Sequence, residues 1–222
     1  MHRKLSSIFP PPDEADEEGL VALSRDVRWE MLADAYSHGI FPWPFGESAS
    51  YIPWVSPPQR GVIFMDEFHI PSSLQRELKK TKFILRIDHD FEAVITGCAA
   101  AVRPDQVGTW ITGAMIREYC QFHKQGYAHS FEAYDENGML AGGLYGVSVG
   151  RIFCGESMFY RVSGASKFAF VKMFEVLHRH GVKLIDTQMV TRATGTFGAR
   201  EIPRKKYLEL LSEYGGEPLK FK

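Results

Sequence analysis

His129-Ser130-Phe131-Glu132-Ala133-Tyr134-Asp135, Met139-Leu140-Ala141-Gly142-Gly143-Leu144-Tyr145-Gly146-Val147 and Arg151-Ile152-Phe153-Cys154-Gly155-Glu156-Ser157-Met158 are three apolar, β-rich runs in quick succession. Asp135-Glu136-Asn137-Gly138 joins the first two and a turn at Gly150 joins the second pair. Asn-Gly between such runs is the strongest short-range hairpin signal, so the segment reads as an antiparallel meander. A broadly apolar helix follows over 164–180, with Phe168, Phe170, Val171, Phe174 and Leu177 spread too widely for a surface helix. Gly181 ends it and 183–188 returns as a strand. Meander, buried helix and strand make an α+β fold, with helices on a mostly antiparallel sheet.

Upstream, 61–66 and 82–88 read as strands, with a short helix between them opened by Pro71. Helices are expected near 90–101, capped by Asp88 or Asp90, and near 113–125, after Thr112 and before Gly126. Before residue 61 the texture differs. Residues 9–19 are Pro-rich and then acidic, an extended and mobile lead-in; Asp26 fits the N-cap of a helix near 27–38 that Gly39 stops. Phe41-Pro42-Trp43-Pro44-Phe45-Gly46 and Tyr51-Ile52-Pro53-Trp54-Val55-Ser56-Pro57-Pro58 hold too many prolines for helix or central strand, which predicts a fixed aromatic loop that either closes the small core, as composition favours, or presents stacking faces to a ligand. At the far end Pro203 opens a last helix carrying Tyr207, Leu208 and Leu211.

The chain has 222 residues, enough for a small unit beside a larger one, with a core that needs no disulfide or metal staple. Its 26 basic and 27 acidic side chains leave a net charge of −1, which argues against nucleic-acid binding through global charge but not against a local patch. The balance is uneven along the chain: acidic groups gather at 13–18, while Arg76, Lys79, Lys80, Lys82 and Arg86 form one basic group and Arg200, Arg204, Lys205 and Lys206 another. Cys98, Cys120 and Cys154 form no CxxC pair, and the eight histidines show no metal-ligand spacing, so reduced thiols and no metal are expected. The basic N-terminus leads into prolines rather than an apolar signal segment, and no apolar run approaches a membrane span, so a cytoplasmic protein is expected.

Chemistry-bearing residues lie where the strands end. Alternation puts Glu156 on one face with Cys154 and Met158, an apolar side where a carboxylate must be paired or functional, the plainer alternative being a strand-end Glu in solvent; Gly155 beside it signals a bulge or a close backbone approach. Asp186 and Gln188 share a strand face, where a carboxylate can orient an amide toward a reacting centre; the plainer alternative is a pair that caps the neighbouring loop. Cys154 has no histidine-bearing nucleophile motif around it and reads as packing. The strand–helix order is that of the GNAT-type acetyltransferase core, yet Ser163-Gly164-Ala165-Ser166 lacks the Gly-rich pyrophosphate loop, which counts against a coenzyme A enzyme.

Read together, these residues resemble the leucyl/phenylalanyl-tRNA–protein transferases of bacteria. The resemblance is carried by Gly39-Ile40-Phe41-Pro42-Trp43, Trp54-Val55-Ser56-Pro57, Gly108-Thr109-Trp110-Ile111-Thr112, Gly126-Tyr127-Ala128-His129-Ser130 and the run 142–147. It continues through 153–159, Ala165-Ser166-Lys167, Leu184-Ile185-Asp186, Gln188, Gly198-Ala199 and Glu201-Ile202-Pro203-Arg204. It implies a small N-terminal domain, here 1–62, and a GNAT-like transferase domain, 63–222, working without a cofactor. The implied reaction moves Leu or Phe from aminoacyl-tRNA to the N-terminal Arg or Lys of a protein and marks that protein for degradation. On the family pattern Asp186 orients Gln188, Gln188 assists the attacking amine and Glu156 holds an amino group. Trp54 and Trp110 would pack against the terminal adenosine. Leu144, Phe153, Met158, Phe170 and Ile185 would line the pocket for the transferred side chain, and Arg76, Lys79, Lys80 and Lys82 would meet tRNA phosphate. The sequence departs from the pattern at Thr191, where the family usually has Asn, and at Ala193, where it has His. Phe170 is bulkier than the aliphatic residue usual there. These departures leave open a homologue that binds charged tRNA or protein N-termini with altered specificity or without turnover.

Overall fold

The computed structural model describes residues 7–44, 50–101 and 109–221. After a 3-10 turn at Pro12–Glu14 come β1 (Leu20–Ser24), α1 (Trp29–Ser37), β2 (Phe41–Pro42), β3 (Ile52–Val55), β4 (Gln59–Phe64), α2 (Ser72–Leu78), β5 (Ile84–Ile87), α3 (Phe91–Ala100) and α4 (Gly113–Lys124). The meander follows as β6 (Ala128–Tyr134), β7 (Leu140–Val149) and β8 (Ile152–Tyr160). The chain then forms α5 (Ala165–Arg179), β9 (Leu184–Gln188), α6 (Arg192–Gly195), β10 (Arg200–Pro203) and α7 (Arg204–Tyr214). Among the described residues there are two sheets: three strands in the order β1-β3-β2, and seven in the order β10-β4-β9-β8-β7-β6-β5. Among the described strands only the β8–β9 pair is parallel, as a strand–helix–strand crossover through α5 requires. The fold is α+β with antiparallel-rich sheets, as the meander implies.

Local chemistry accounts for the boundaries. Asp90 caps α3 by accepting from the Ala93 N–H at 3.0 Å, and Thr112 caps α4 through Met115 N at 3.3 Å. In the β6–β7 turn the Asp135 carboxylate accepts from Asn137 N and Met139 N. Two apolar clusters cover the large sheet: one draws on α1, α3, α4 and α7, the other on α2 and α5. β4 runs across residue 62, the expected boundary, so the chain passes from the small sheet to the large one between Val55 and Gln59.

The N-terminal third corrects several expectations. Phe9 is buried, its ring 4.6 Å from that of Trp54, so the acidic lead-in is tethered rather than mobile. Asp16 fastens it by accepting from Glu18 N and Leu20 N. Asp26 is not the cap of α1; the helix begins at Trp29, whose N–H is held at 2.9 Å by the Glu118 carboxylate of α4. The Pro-rich segment forms β3, the central strand of the small sheet. Pro53 is tolerated there because its carbonyl does the pairing, accepting from Trp43 N at 2.8 Å. Phe45 and Gly46 of the aromatic loop, Gly108 and the first six residues lie outside the described residues.

Candidate active site

The site is assembled where β4, β8 and β9 lie side by side. A bulge opens β8: Tyr145 pairs with Ser157 and Gly146 with Gly155, so Glu156 is the extra residue. It breaks the expected alternation. Cys154 keeps the face toward α1, α4 and α7, but Met158 packs with Leu144 and α5 in the opposite cluster. Glu156 reaches the α1 and α4 side, where Tyr119 donates to its Oε2 at 3.5 Å and Tyr119 and Tyr36 share a hydroxyl contact of 2.6 Å.

On β9, Asp186 is fully enclosed. One oxygen accepts from Arg60 Nε at 2.9 Å and from the Gln188 backbone N–H at 2.8 Å; the other accepts from Arg60 Nη2 at 2.7 Å and from the Tyr207 hydroxyl at 2.8 Å. The Gln188 backbone stands at φ +61°, a left-handed conformation costly for a residue with a Cβ. Its side chain turns to Glu156, Nε2 donating to Oε1 at 2.7 Å. Asp186 therefore fixes the backbone of Gln188, while Glu156 orients its amide, a division of labour that strand alternation did not predict. Gly61 makes the turn fit: a Cβ there would stand 2.5 Å from the Met189 carbonyl carbon and 2.7 Å from Val190 N. Gly39, at φ +77°, lets α7 approach to where a Cβ would meet the Leu208 side chain at 2.8 Å, and its carbonyl accepts from Arg60 Nη1 at 3.1 Å.

The electrostatics follow from this packing. A small part of Glu156 reaches solvent, but the surroundings of its carboxylate are interior. Burial pushes the carboxyl up to about 7 and the Asp186 charge adds to that, while hydrogen bonds from Tyr36 and Gln188 and the Arg60 charge oppose it. Burial, reinforced by Glu156, holds Tyr36 and Tyr119 well above the ordinary phenol range, so both remain neutral. Burial disfavours the Arg60 charge, but Asp186 overrides it and holds the guanidinium above its usual range. Burial and then the Asp186 charge drive the Cys154 thiol up, which makes it a packed group rather than a nucleophile.

The expected binding residues divide into groups. Leu144, Phe153, Phe170 and Ile185 are buried and Met158 is half-buried, all in the α5-side cluster; Phe170 packs 4.6 Å from the Phe197 ring. A groove of about 380 Å³ between α2 and α5 is lined by none of these five. Trp54 is a correction: it is 0% exposed, packed against Phe9 and bound through Nε1 to Ser24 Oγ at 2.8 Å, so neither indole face is open to a base. Trp110 is half-buried. Arg76, Lys79, Lys80 and Lys82 lie on α2 and the segment after it, with Lys82 paired to Glu136 at 2.8 Å. The 200–206 group is largely spent within the fold: Arg200 is held by both oxygens of Glu67, Arg204 by the Ser56 carbonyl, and Lys206 by Glu209 at 3.4 Å. Thr191, at one of the departures, is the N-cap of α6 and forms a capping box with Thr194 that starts the helix. Sequence reasoning did not single out Arg60, Tyr207, Tyr36 or Tyr119 as site residues. The one signal for Arg60 is an arginine beside the apolar run Val62-Ile63-Phe64 at the start of a strand. No helix among the described residues is long and apolar enough to cross a membrane.

The chain is 48% identical to the leucyl/phenylalanyl-tRNA–protein transferase of Anaeromyxobacter sp. (strain K) over 210 residues, covering 95% of this chain and 89% of that one. It is 44% identical to the protein of the same name from Myxococcus xanthus (strain DK1622), again covering 95% and 89%. The solved structure of L-PGS from Bacillus licheniformis aligns with a TM-score of 0.41 at 10% identity, over 89% of this chain and 65% of that chain. The sequence model of the family described as leucyl/phenylalanyl-tRNA protein transferase matches residues 62–212, and with relatives this similar across nearly its whole length the chain belongs to that family.

Proposed function

We propose that this chain transfers Leu or Phe from aminoacyl-tRNA to the N-terminal Arg or Lys of acceptor proteins in the cytoplasm, marking them for degradation. The acceptor's α-amine attacks the ester carbonyl carbon. A C–N bond forms, the C–O bond to the terminal ribose breaks, and the amine's proton ends on the ribose oxygen. An ester is already activated, so holding the two reactants in register supplies much of the rate. The observation that carries this reading is the Glu156–Gln188 contact of 2.7 Å on a backbone pinned by Asp186. With Nε2 committed to Glu156, the amide oxygen is the acceptor offered to the attacking amine. Glu156, raised to about 7, changes charge near neutrality, which suits a group that holds an ammonium and takes up its proton.

The meander feeding α5 and returning as β9 parallel to β8 supports a GNAT-like core for this activity. Trp110 offers an indole to the terminal adenosine, and the α5-side cluster of Leu144, Phe153, Met158, Phe170 and Ile185 meets the transferred side chain. Arg76, Lys79 and Lys80, on α2 and just after it, meet tRNA phosphate. The test is a transfer assay with bulk charged tRNA and peptides beginning with Arg, Lys or Ala, followed by identification of the added residue. Leu or Phe on the Arg and Lys peptides alone is expected. No transfer from any charged tRNA, with charged tRNA still bound, would establish the binding-only alternative.

A further inference from the structure

Arg60 is 1% exposed, and every nitrogen of its head group is engaged. Nε and Nη2 fork onto Asp186, Nη1 binds the Gly39 carbonyl, and the guanidinium lies between two rings, 4.5 Å from the Phe41 centroid and 4.4 Å from that of Tyr207. Tyr207 in turn donates to the same carboxylate. Four separate segments thus meet at one side chain: β2 and the turn before it, β4, β9 and α7. A buried ion pair contributes little net stability compared with apolar residues of the same volume, so core formation alone does not account for it. Its geometry does. The oxygen of Asp186 that faces Arg60 Nε also accepts the Gln188 N–H, at the residue whose φ of +61° needs an external restraint.

We propose that Arg60 is a positioning residue for the transfer reaction. Through Asp186 it holds the Gln188 backbone in the left-handed conformation that delivers the Gln188 amide to Glu156. The proposal rests on the transferase reading above, because it assigns a role within that reaction. The bidentate fork is essential to it: a guanidinium fixes both carboxylate oxygens in one plane and so orients the lone pair that meets Gln188, whereas an ammonium supplies charge without that orientation. Neither Arg60 nor the rings that flank it touch the reacting atoms. The role is one of angle and distance.

Arg60→Lys and Arg60→Ala test this in steady-state transfer with Leu-tRNA or Phe-tRNA and an Arg-initiated peptide, each substrate varied in turn. Arg60→Lys keeps the charge and is expected to fold, with kcat lowered about 10- to 100-fold, the loss of one charge-assisted hydrogen bond. KM for both substrates is expected to stay within about threefold, since substrate binding is not what Arg60 governs. Arg60→Ala opens a slot between two aromatic faces, and millimolar guanidinium, but not ammonium at equal ionic strength, is expected to restore part of the lost kcat. A wild-type kcat in Arg60→Lys would overturn the proposal, as would a loss confined to KM. If Arg60→Ala does not fold, the kcat–KM split in Arg60→Lys decides alone. No transfer by the wild-type protein would instead refute the transferase reading, so the two failures are distinguishable.

Discussion

Replacing Glu156 with glutamine tests whether a carboxylate held in an interior environment sits at the centre of the site. Burial holds the native carboxyl at about 7, against 4.5 for an ordinary glutamate. Between those values the folded protein binds the proton more tightly than the unfolded chain. The group's stabilising contribution is therefore complete below about pH 4.5 and is lost as pH rises through about 7. At 1.36 kcal/mol per pH unit the full difference is at most about 3 kcal/mol, and partial solvent contact at Glu156 reduces it to about 2 kcal/mol. The amide introduced by Glu156→Gln cannot titrate and escapes this loss, while still accepting and donating hydrogen bonds toward Gln188 and Tyr119. Urea unfolding of both proteins at about pH 5 and about pH 8 measures the effect. The variant is expected to gain about 2 kcal/mol relative to wild type between the two pH values, and to lose transfer activity at both. Parallel stability profiles would refute the placement of Glu156 in an interior environment.

Three further outcomes rest on where the structure puts individual side chains. Trp54→Phe removes the indole N–H that binds Ser24 and trims a fully packed ring, so it is expected to lower stability by about 2 kcal/mol while leaving charged-tRNA affinity unchanged in a filter-binding assay. Arg76→Ala with Lys79→Ala is expected to weaken charged-tRNA binding and flatten its salt dependence by about one unit of slope per lost phosphate contact. Arg200→Ala is expected to change neither tRNA affinity nor its salt dependence, because Arg200 is already paired through Nε and Nη2 with Glu67.

The central elements were legible because their signals are local. Asn137-Gly138 between apolar runs fixes a hairpin, Thr112 and Asp90 are cap chemistry, and Gly181 after an apolar helix marks its end. Glu156, Asp186 and Gln188 could be singled out as polar groups within apolar strands, although β8 runs on past Glu156 to Tyr160 and only Gln188 stands at a strand end. How they connect was not legible. A single inserted residue in β8 reverses every face assignment beyond it, and only the pairing with β7 reveals that Glu156 is that residue. Arg60, 126 residues from Asp186, and Tyr207, 21 residues from it, meet its carboxylate only because the fold brings β4 and α7 to β9, contacts that no local pattern encodes. Trp54 was given its place against the adenosine by the resemblance, whereas composition alone favoured packing of these aromatics in the core, as found. Proline-rich composition argued for a loop, whereas the small sheet needs pairing only from the Pro53 carbonyl and buries the indole that follows it.

The most direct measurement of the account is the single-turnover transfer rate of Gln188→Ala with Leu-tRNA or Phe-tRNA, taken alongside its affinity for the same charged tRNA. If the amide held on Glu156 assists the attacking amine, the rate falls at least about 100-fold while affinity stays within about threefold, the signature of an interaction made in the transition state. A wild-type rate in Gln188→Ala, with the protein folded and charged tRNA bound, would contradict it.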